Sequence, residues 1–225
     1  MKYLILLISL IMLLSCSNKR PTPEIPLTWM PDPTLTVDNR EVTNNSVVFL
    51  GNSLTHIPIW EDFFPNVETA NRGIGGNTTF QVIQRLSNIT KHKPKKIFLM
   101  IGANDLNAGI PHSLITQNQR TIIQRIKKES PDTELFVQSI LPFGKDVRVY
   151  FPHNVPKTYV NDIKELNKAL ILVCLTEKVK FLNVYEVMVD KTGHLKQEYT
   201  IDQVHLSEDG YKPWISYIKK YVETK

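Results

Sequence analysis

Short apolar segments, several ending at glycine, alternate with longer amphipathic segments along most of this chain, and no other feature limits the fold as much. We predict strands at 47–50, 67–71, 95–101, 135–140 and 179–184. Nearly continuous apolar character is typical of strands that are buried on both faces of a parallel sheet. Helices must then cover both faces, so the sequence predicts an α/β fold of three layers around five parallel strands.

The segments between these strands carry apolar residues at helical spacing. The first of the four helices predicted here begins behind a capping box formed by Thr78 and Gln81. The last begins after Ser207, with Pro213 near its first turn or at a kink. We expect four apolar faces, in chain order: Phe80, Ile83 and Leu86; Ile115, Ile122 and Ile126; Val160, Ile163, Leu166, Leu170 and Val173; Tyr211, Trp214, Ile218 and Tyr221.

Length and composition exclude several classes of protein. The 225 residues can build one large core without a second domain. Two cysteines are too few for a disulfide-rich scaffold, and we expect no metal site, because the histidines outside the motifs described below are scattered without paired ligand spacing. The net charge of +5 is mild and is not gathered into a stripe with aromatics, so no nucleic-acid partner is expected. The short basic cluster at 91–96 reads as a solvated connection.

The first residues have the features of a targeting segment. Residues 3–14 are mostly apolar and follow Lys2, but they are too few to span a bilayer as a helix, which needs about 20 residues. Ser15 and Cys16 follow directly and resemble a bacterial lipobox. That resemblance implies a lipoprotein signal peptide over 1–15, lipidation of Cys16 and an anchor in the membrane of the bacterial cell envelope. A plain signal peptide, giving a secreted protein, is the alternative.

Residues 16–45 read as a lipidated cysteine followed by a proline-rich tether, which leaves 46–225 as the folded domain. Five of the 14 prolines fall in this stretch, and proline at that density blocks helices and sheet ladders. The other cysteine, Cys174, lies in a helical apolar pattern. It is predicted to be a small core residue and not a reactive thiol.

Four short motifs with polar or reactive side chains lie in predicted loops, most of them directly after a strand. These four groups are Gly51-Asn52-Ser53, Gly73-Ile74-Gly75-Gly76-Asn77, Gly102-Ala103-Asn104-Asp105 and Asp202-Gln203-Val204-His205. Ligands of open α/β sheets bind at the carboxyl ends of the strands. Any one of these groups is weak evidence, because each also occurs as a simple turn. Four of them in this order, each at a predicted loop, indicate a site.

This set resembles the SGNH (GDSL-type) hydrolase superfamily over residues 46–222, and within it the platelet-activating-factor acetylhydrolase-like bacterial esterases. The resemblance implies a flavodoxin-like topology, with Ser53 as nucleophile and Asp202 and His205 as its acid and base partners. It also implies that Gly76 and Asn104 contribute to an oxyanion hole. One residue departs from the pattern, because Asn52 stands where the usual motif has Asp, and this alters the local hydrogen bonding.

The residues themselves support the same chemistry. A serine hydroxyl needs a base to remove its proton, and a histidine with a pKa of about 6.5 is mostly neutral at pH 7. Asp202 can accept from the other ring nitrogen and hold the tautomer of His205. The backbone N–H groups of Ser53 and Gly76 and the side-chain amide of Asn104 can converge on the oxyanion. We therefore predict acyl transfer to water through an acyl-serine, with no metal and no organic cofactor.

Further residues are candidates for binding the substrate, each with a structural alternative. His56 lines the pocket or lies in a surface loop, and Trp60 contacts substrate or belongs to the core. The loop at 142–156 is long, so Phe143, Tyr150, Phe151 and His153 form a substrate wall or a packed surface loop. Asp105 holds the loop that carries Asn104 or is a simple turn aspartate.

Three functions follow from these observations. The first is a carboxyl-ester hydrolase for short acyl groups, acetyl above all, with acetylated carbohydrate as the substrate expected for an enzyme anchored at the envelope. The second is a lysophospholipase- or thioesterase-type acylhydrolase that uses the same residues. The third is a non-catalytic glycan-binding lipoprotein. The sequence leaves the natural ester and the oligomeric state open.

Overall fold

A computed structural model describes residues 41–150 and 159–224 of this protein. The predicted signal peptide, Cys16 and most of the predicted tether lie outside these residues, as do Phe151 and His153, and Tyr150 is described by its backbone alone. Val42 is buried against the domain core, so the packed domain includes residues before the expected boundary at 46. Within the described residues, no helix is long and apolar enough to cross a membrane.

Five parallel strands form a single sheet, as the sequence predicted. They are β1 (Val47–Gly51), β2 (Thr69–Gly73), β3 (Lys96–Met100), β4 (Glu134–Gln138) and β5 (Lys180–Leu182). Their order across the sheet is β2-β1-β3-β4-β5, which is the flavodoxin-like order. This arrangement confirms the predicted α/β fold class and topology.

Helices connect the strands and cover both faces of the sheet. They are α1 (Ser53–His56), α2 (Trp60–Phe63), α3 (Thr79–Arg85), α4 (Ser87–Thr90), α5 (Ala103–Asn107), α6 (His112–Glu129), α7 (Val147–Tyr150), α8 (Tyr159–Glu177), α9 (Tyr185–Met188) and α10 (Glu208–Val222). A 3-10 helix lies at Gln197–Tyr199. The predicted caps are present: Gln81 accepts from the backbone N–H of Thr78, and Ser207 accepts from that of Gly210.

Alternate side chains of each strand enter two different cores. Phe49, Phe98 and Phe136 face α10 and α2, whereas Leu50, Leu99 and Val137 face α3, α4, α6 and α8. The two faces are therefore covered separately, which gives the three predicted layers. Cys174 lies in the second core, where burial raises the pKa of its thiol to about 12, as expected of a core residue.

Two local expectations need correction. Phe80 is 58% exposed, and Val82 takes the core position instead, because α3 begins at Thr79 with its second residue turned outward. Lys96 is not part of a solvated connection: it is 2% exposed, and its Nζ donates to the carbonyls of Tyr221 and Thr224 at the end of α10.

Candidate active site

The register of the sheet brings three of the predicted loops to one level. Gly51, at the end of β1, pairs with Gly73 of β2 on one side and with Met100 of β3 on the other. The residues that follow these three strands therefore leave the sheet side by side. They carry Ser53, Gly76 and Asn104, so the sheet itself brings together residues that are far apart in sequence.

Ser53 is the first residue of α1, directly after β1. Asn52 caps this helix, because its side-chain oxygen accepts from the backbone N–H of Leu54 over 3.1 Å. The amide at residue 52 thus supplies the cap that a carboxylate could also supply. Gly51 permits the close approach of β1 to the end of β3, since a Cβ there would lie 2.4 Å from the carbonyl oxygen of Met100.

Asp202, His205 and Ser53 form one hydrogen-bonded chain. The Nε2 of His205 lies 3.0 Å from the Oγ of Ser53, and its Nδ1 lies 2.7 Å from the Oδ2 of Asp202. The other carboxylate oxygen, Oδ1, accepts from the backbone N–H groups of Val204 and His205. These contacts fix the carboxylate, and through it the ring, in an orientation suited to proton transfer from Ser53.

The charge on Asp202 is maintained by its hydrogen bonds. Burial alone would raise its pKa, but the bonds from the side chain and backbone of His205 and from the backbone of Val204 outweigh it and lower the pKa below its ordinary value. Asp202 is therefore ionised at neutral pH and can stabilise a positive charge on His205.

The proposed oxyanion donors lie at the same edge of the sheet. Among the described residues, no backbone carbonyl accepts from the N–H of Ser53 or of Gly76, so both are available to a ligand. Gly76 has a φ of 73°, a conformation that glycine adopts without strain. One N–H of the Asn104 amide donates to the carbonyl of Asn77 over 2.9 Å, which holds the side chain and leaves the second N–H available.

Asp105 holds the loops together, which is the structural role considered for it. Its carboxylate accepts from both the backbone N–H and the hydroxyl of Thr79, the first residue of α3. Burial raises the pKa of Asp105, although the bonds from Thr79 oppose this effect. The loop that carries Asn104 is thereby tied to the helix that follows Gly76.

The residues considered for substrate binding lie in different environments. Trp60 is fully buried, stacks on Phe49 with ring centroids 3.6 Å apart and donates to the carbonyl of Thr55. Phe143 is also buried, against Tyr159. Trp60 is therefore a core residue, which is the structural alternative considered for it, and Phe143 is a core residue and not part of a substrate wall. His56 is partly exposed, with Nδ1 3.1 Å from the carbonyl of Gly73, and stays a candidate.

Two residues that the sequence did not single out contact the site loops. Arg85 donates to the side chain of Asn77 and to the carbonyl of Gly51. Gln203, between Asp202 and His205, is buried with a φ of 74° and binds the segment after β4. Arginine at a helix end and glutamine in a loop are common surface residues, so the sequence contains no signal that marks Arg85 or Gln203 as part of the site.

Within the described part of the chain, no cluster of three or more His, Cys, Asp or Glu residues could hold a metal ion.

The doubly wound sheet and the Ser53–His205–Asp202 chain define this protein as an α/β hydrolytic enzyme of the serine type. Its sequence matches the GDSL-like lipase/acylhydrolase family over residues 49–212, and the chain belongs to that family.

Curated relatives of the chain include acetylhydrolases. It is 28% identical over 178 residues to the alpha1 subunit of human platelet-activating factor acetylhydrolase IB, covering 74% of this chain and 71% of the relative. The rat alpha2 subunit is 26% identical over 171 residues, covering 73% of this chain and 70% of the relative. These similarities place the chain among the acylhydrolases.

Solved bacterial structures share the fold. A Streptococcus pneumoniae protein assigned as a platelet activating factor superposes with a TM-score of 0.72 at 29% identity, over 82% of this chain and 86% of that one. A GDSL-like lipase from Bacteroides thetaiotaomicron superposes with a TM-score of 0.70 at 24% identity, over 80% of this chain and 88% of that one. The second likeness, at its lower identity, bears on the fold alone.

Proposed function

We propose that this acylhydrolase is a serine esterase that removes short acyl groups, acetyl above all, through an acyl-serine intermediate. The observation that carries the proposal is the hydrogen-bonded chain from Ser53 through His205 to Asp202. Each member of that chain is already at the distance at which protons are transferred in such reactions.

In the acylation step, the Oγ of Ser53 attacks the ester carbonyl carbon and its proton passes to Nε2 of His205. The carbonyl electrons move to oxygen, and the resulting oxyanion accepts from the Ser53 and Gly76 backbone N–H groups and the free N–H of Asn104. When the C–O bond to the alcohol breaks, His205 returns the proton to the leaving oxygen. The alcohol departs and the acyl group stays on Ser53.

In the deacylation step, water takes the place of the alcohol. His205 accepts a proton from the water as its oxygen attacks the acyl carbon, and the same three donors stabilise the second oxyanion. Collapse returns the proton to Ser53 Oγ and releases the carboxylic acid. Asp202 stays ionised throughout and stabilises the protonated ring in both steps.

The choice of acetyl is supported by the relatives, which are named as acetylhydrolases at 26 to 28% identity. For the alcohol part of the substrate, we propose acetylated carbohydrate, as expected of an enzyme tethered at a bacterial envelope. This part of the proposal depends on the lipobox-like Ser15-Cys16 and not on a contact at the site.

A second candidate is an acetylated amphiphile of the kind named in the relatives, platelet-activating factor. Exposed apolar side chains favour it: Ile57 follows α1, Ile59 precedes α2, Phe80 is the second residue of α3, and Ile201 directly precedes Asp202. Large exposed apolar residues in the segments near the nucleophile, the oxyanion loop and the acid would suit an alcohol that carries an alkyl chain.

The deciding experiment measures acetate release from two matched panels, acetylated xylo- and glucosaccharides and acetylated glycerophospholipids, with Ser53→Ala as the blank. A series of nitrophenyl esters from acetyl to decanoyl measures acyl preference. A steep decline beyond about four carbons supports the acetylesterase, whereas a rise toward decanoyl supports the lysophospholipase- or thioesterase-type alternative. No turnover of any ester by the wild type would support a glycan-binding lipoprotein and refute the proposal.

We also propose that the protein is anchored by lipid at Cys16. Mass spectrometry of the mature amino terminus, together with fractionation of Cys16→Ser, tests this. Wild-type protein in the membrane fraction and variant protein released or unprocessed would support the anchor. An unmodified terminus elsewhere in residues 15–25 would identify an ordinary secreted protein.

A further inference from the structure

Arg85 bridges two loops of the proposed active site from its position at the end of α3. Its Nε donates to the side-chain oxygen of Asn77 over 2.9 Å, and one terminal nitrogen donates to the carbonyl of Gly51 over 3.0 Å. Gly51 ends the strand that leads to Ser53, and Asn77 directly follows Gly76. One rigid guanidinium group therefore connects the nucleophile turn to the oxyanion loop.

The same loop contacts Asn104. The carbonyl of Asn77 accepts from the Asn104 side chain over 2.9 Å, and the N–H of Ile74 donates to the Gly51 carbonyl over 3.1 Å. Arg85, Asn77 and Asn104 thus form a continuous series of hydrogen bonds. A displacement of Asn77 would move both its neighbour Gly76 and the amide of Asn104.

The charge on Arg85 has no ordinary structural explanation. Among the described residues, no carboxylate forms a salt bridge with it, and its partners are neutral oxygens. Burial, with a smaller effect of the nearby Arg72, lowers its pKa to about 10. A partly buried cation without a counter-charge costs free energy, so a contribution elsewhere must offset it.

We propose that Arg85 is a positioning residue: it sets the distance between the Ser53 turn and the Gly76–Asn77 loop, and so aligns the oxyanion donors. The inference rests on the proposed function. An oxyanion hole works through donors fixed in advance, and a misplacement of about 1 Å can cost on the order of 10²-fold in rate. Substrate binding in the ground state depends much less on this alignment.

The test compares Arg85→Met and Arg85→Lys in the full chain, with kcat expressed per site titrated by a fluorophosphonate. Arg85→Met should lower kcat by roughly 10–100-fold with KM changed less than about threefold. Lysine keeps the charge but cannot span both oxygens with a planar fork, so its loss should be intermediate.

Arg125→Met is the matched control. Arg125 also ties α6 to α3 and α4, through the carbonyl of Ile83 and the hydroxyl of Ser87, but it pairs with Glu129 and not with a residue of the site loops. Its loss should leave kcat within about twofold of wild type. If both arginine-to-methionine variants lower kcat equally, the effect is general loosening of α3 and the inference is wrong.

A double-variant cycle with Asn77→Ala tests the mechanism. Because Arg85 acts through Asn77, the double variant should lose about as much kcat as the worse single variant, whereas independent effects would multiply. Arg85→Met with wild-type kcat per titrated site would overturn the inference alone. A wild-type protein that hydrolyses no ester and is not labelled at Ser53 would overturn the proposed function, and this inference with it.

Discussion

Replacement of Asn104 by alanine separates an oxyanion role from a structural one, because the side-chain amide has two N–H groups with different tasks. One donates to the carbonyl of Asn77 over 2.9 Å in the free protein. The other is proposed to donate to the oxyanion in the transition state. Alanine removes both, so the structural and catalytic losses must be weighed against each other.

The two losses differ in size and in where they are measured. Loss of one oxyanion donor typically costs about 2.7–4 kcal/mol of transition-state stabilisation, or roughly 10²–10³ in kcat. Loss of the bond to Asn77 costs about 0.5–1.5 kcal/mol of folding free energy, or roughly 1–3 kcal/mol if the carbonyl is left without a donor. A structural loss of that size leaves most molecules folded, so it cannot by itself account for a hundredfold decrease in kcat.

The assay combines kcat and KM for a nitrophenyl acetate, titration of active serines and denaturant unfolding on one preparation. Asn104→Ala should lower kcat and kcat/KM together, with KM little changed. Asn118→Ala is the control, since it removes a bond to the hydroxyl of Thr79, which itself contacts Asp105, but removes no proposed oxyanion donor. Wild-type kcat per titrated serine, together with reduced stability, would refute the oxyanion role of Asn104.

Ser53→Ala should abolish esterase activity with the unfolding midpoint nearly unchanged, and a fluorophosphonate should label Ser53 of the wild type; labelling at Ser139 instead would contradict the assignment. Because the fold lowers the pKa of Asp202, its ionised form contributes stability above the unfolded value of about 3.9, and this is lost as the pH falls through the folded pKa; in urea titrations, Asp202→Asn should lose that acid-range dependence. Lys96→Met should lower stability by roughly 1–3 kcal/mol, since two carbonyls of the α10 end lose their donor, while kcat stays unchanged because β3 begins at the opposite edge of the sheet.

The sequence predicted the sheet and the polar residues at its edge because both depend on local pattern. Apolar runs that end at glycine marked β1 and β3, and parallel strands place their carboxyl ends at one edge. The four polar groups lie in loops at that edge, so their proximity could be inferred from the sequence. The sequence could not give the distances from the ring of His205, which are 3.0 Å to Ser53 Oγ and 2.7 Å to Asp202 Oδ2.

Residues with long-range partners were not predictable in this way. Arg85 binds the carbonyl of Gly51, 34 positions earlier in the chain, and Lys96 binds the end of α10 more than 120 positions later. Trp60 and Phe143 are aromatic side chains of the kind that bind substrates, but their packing against Phe49 and Tyr159 buries them in the core. The spacing of residues along the chain predicts which face of a helix or strand a side chain occupies. The residues that it contacts there depend on the whole fold.

Gln203 is another residue whose partners are distant in sequence, and its strained backbone conformation leads to a last prediction. Its φ of 74° lies where a residue with a Cβ is disfavoured, by about 1–2 kcal/mol relative to glycine. The surroundings maintain that conformation: the side-chain Oε1 accepts from the N–H of Asp146 over 3.1 Å, and its own carbonyl accepts from the N–H of Gly144 over 2.7 Å. Gln203→Ala and Gln203→Gly both remove the side-chain hydrogen bonds, including the one that Nε2 donates to Gln197, but only glycine relieves the backbone strain. After the extra entropy that glycine gives the unfolded chain, about 0.4–1 kcal/mol, Gln203→Gly should be the more stable of the two by roughly 0.5–1 kcal/mol in denaturant unfolding. Equal stabilities, or a more stable alanine variant, would show that no strain is stored between Asp202 and His205.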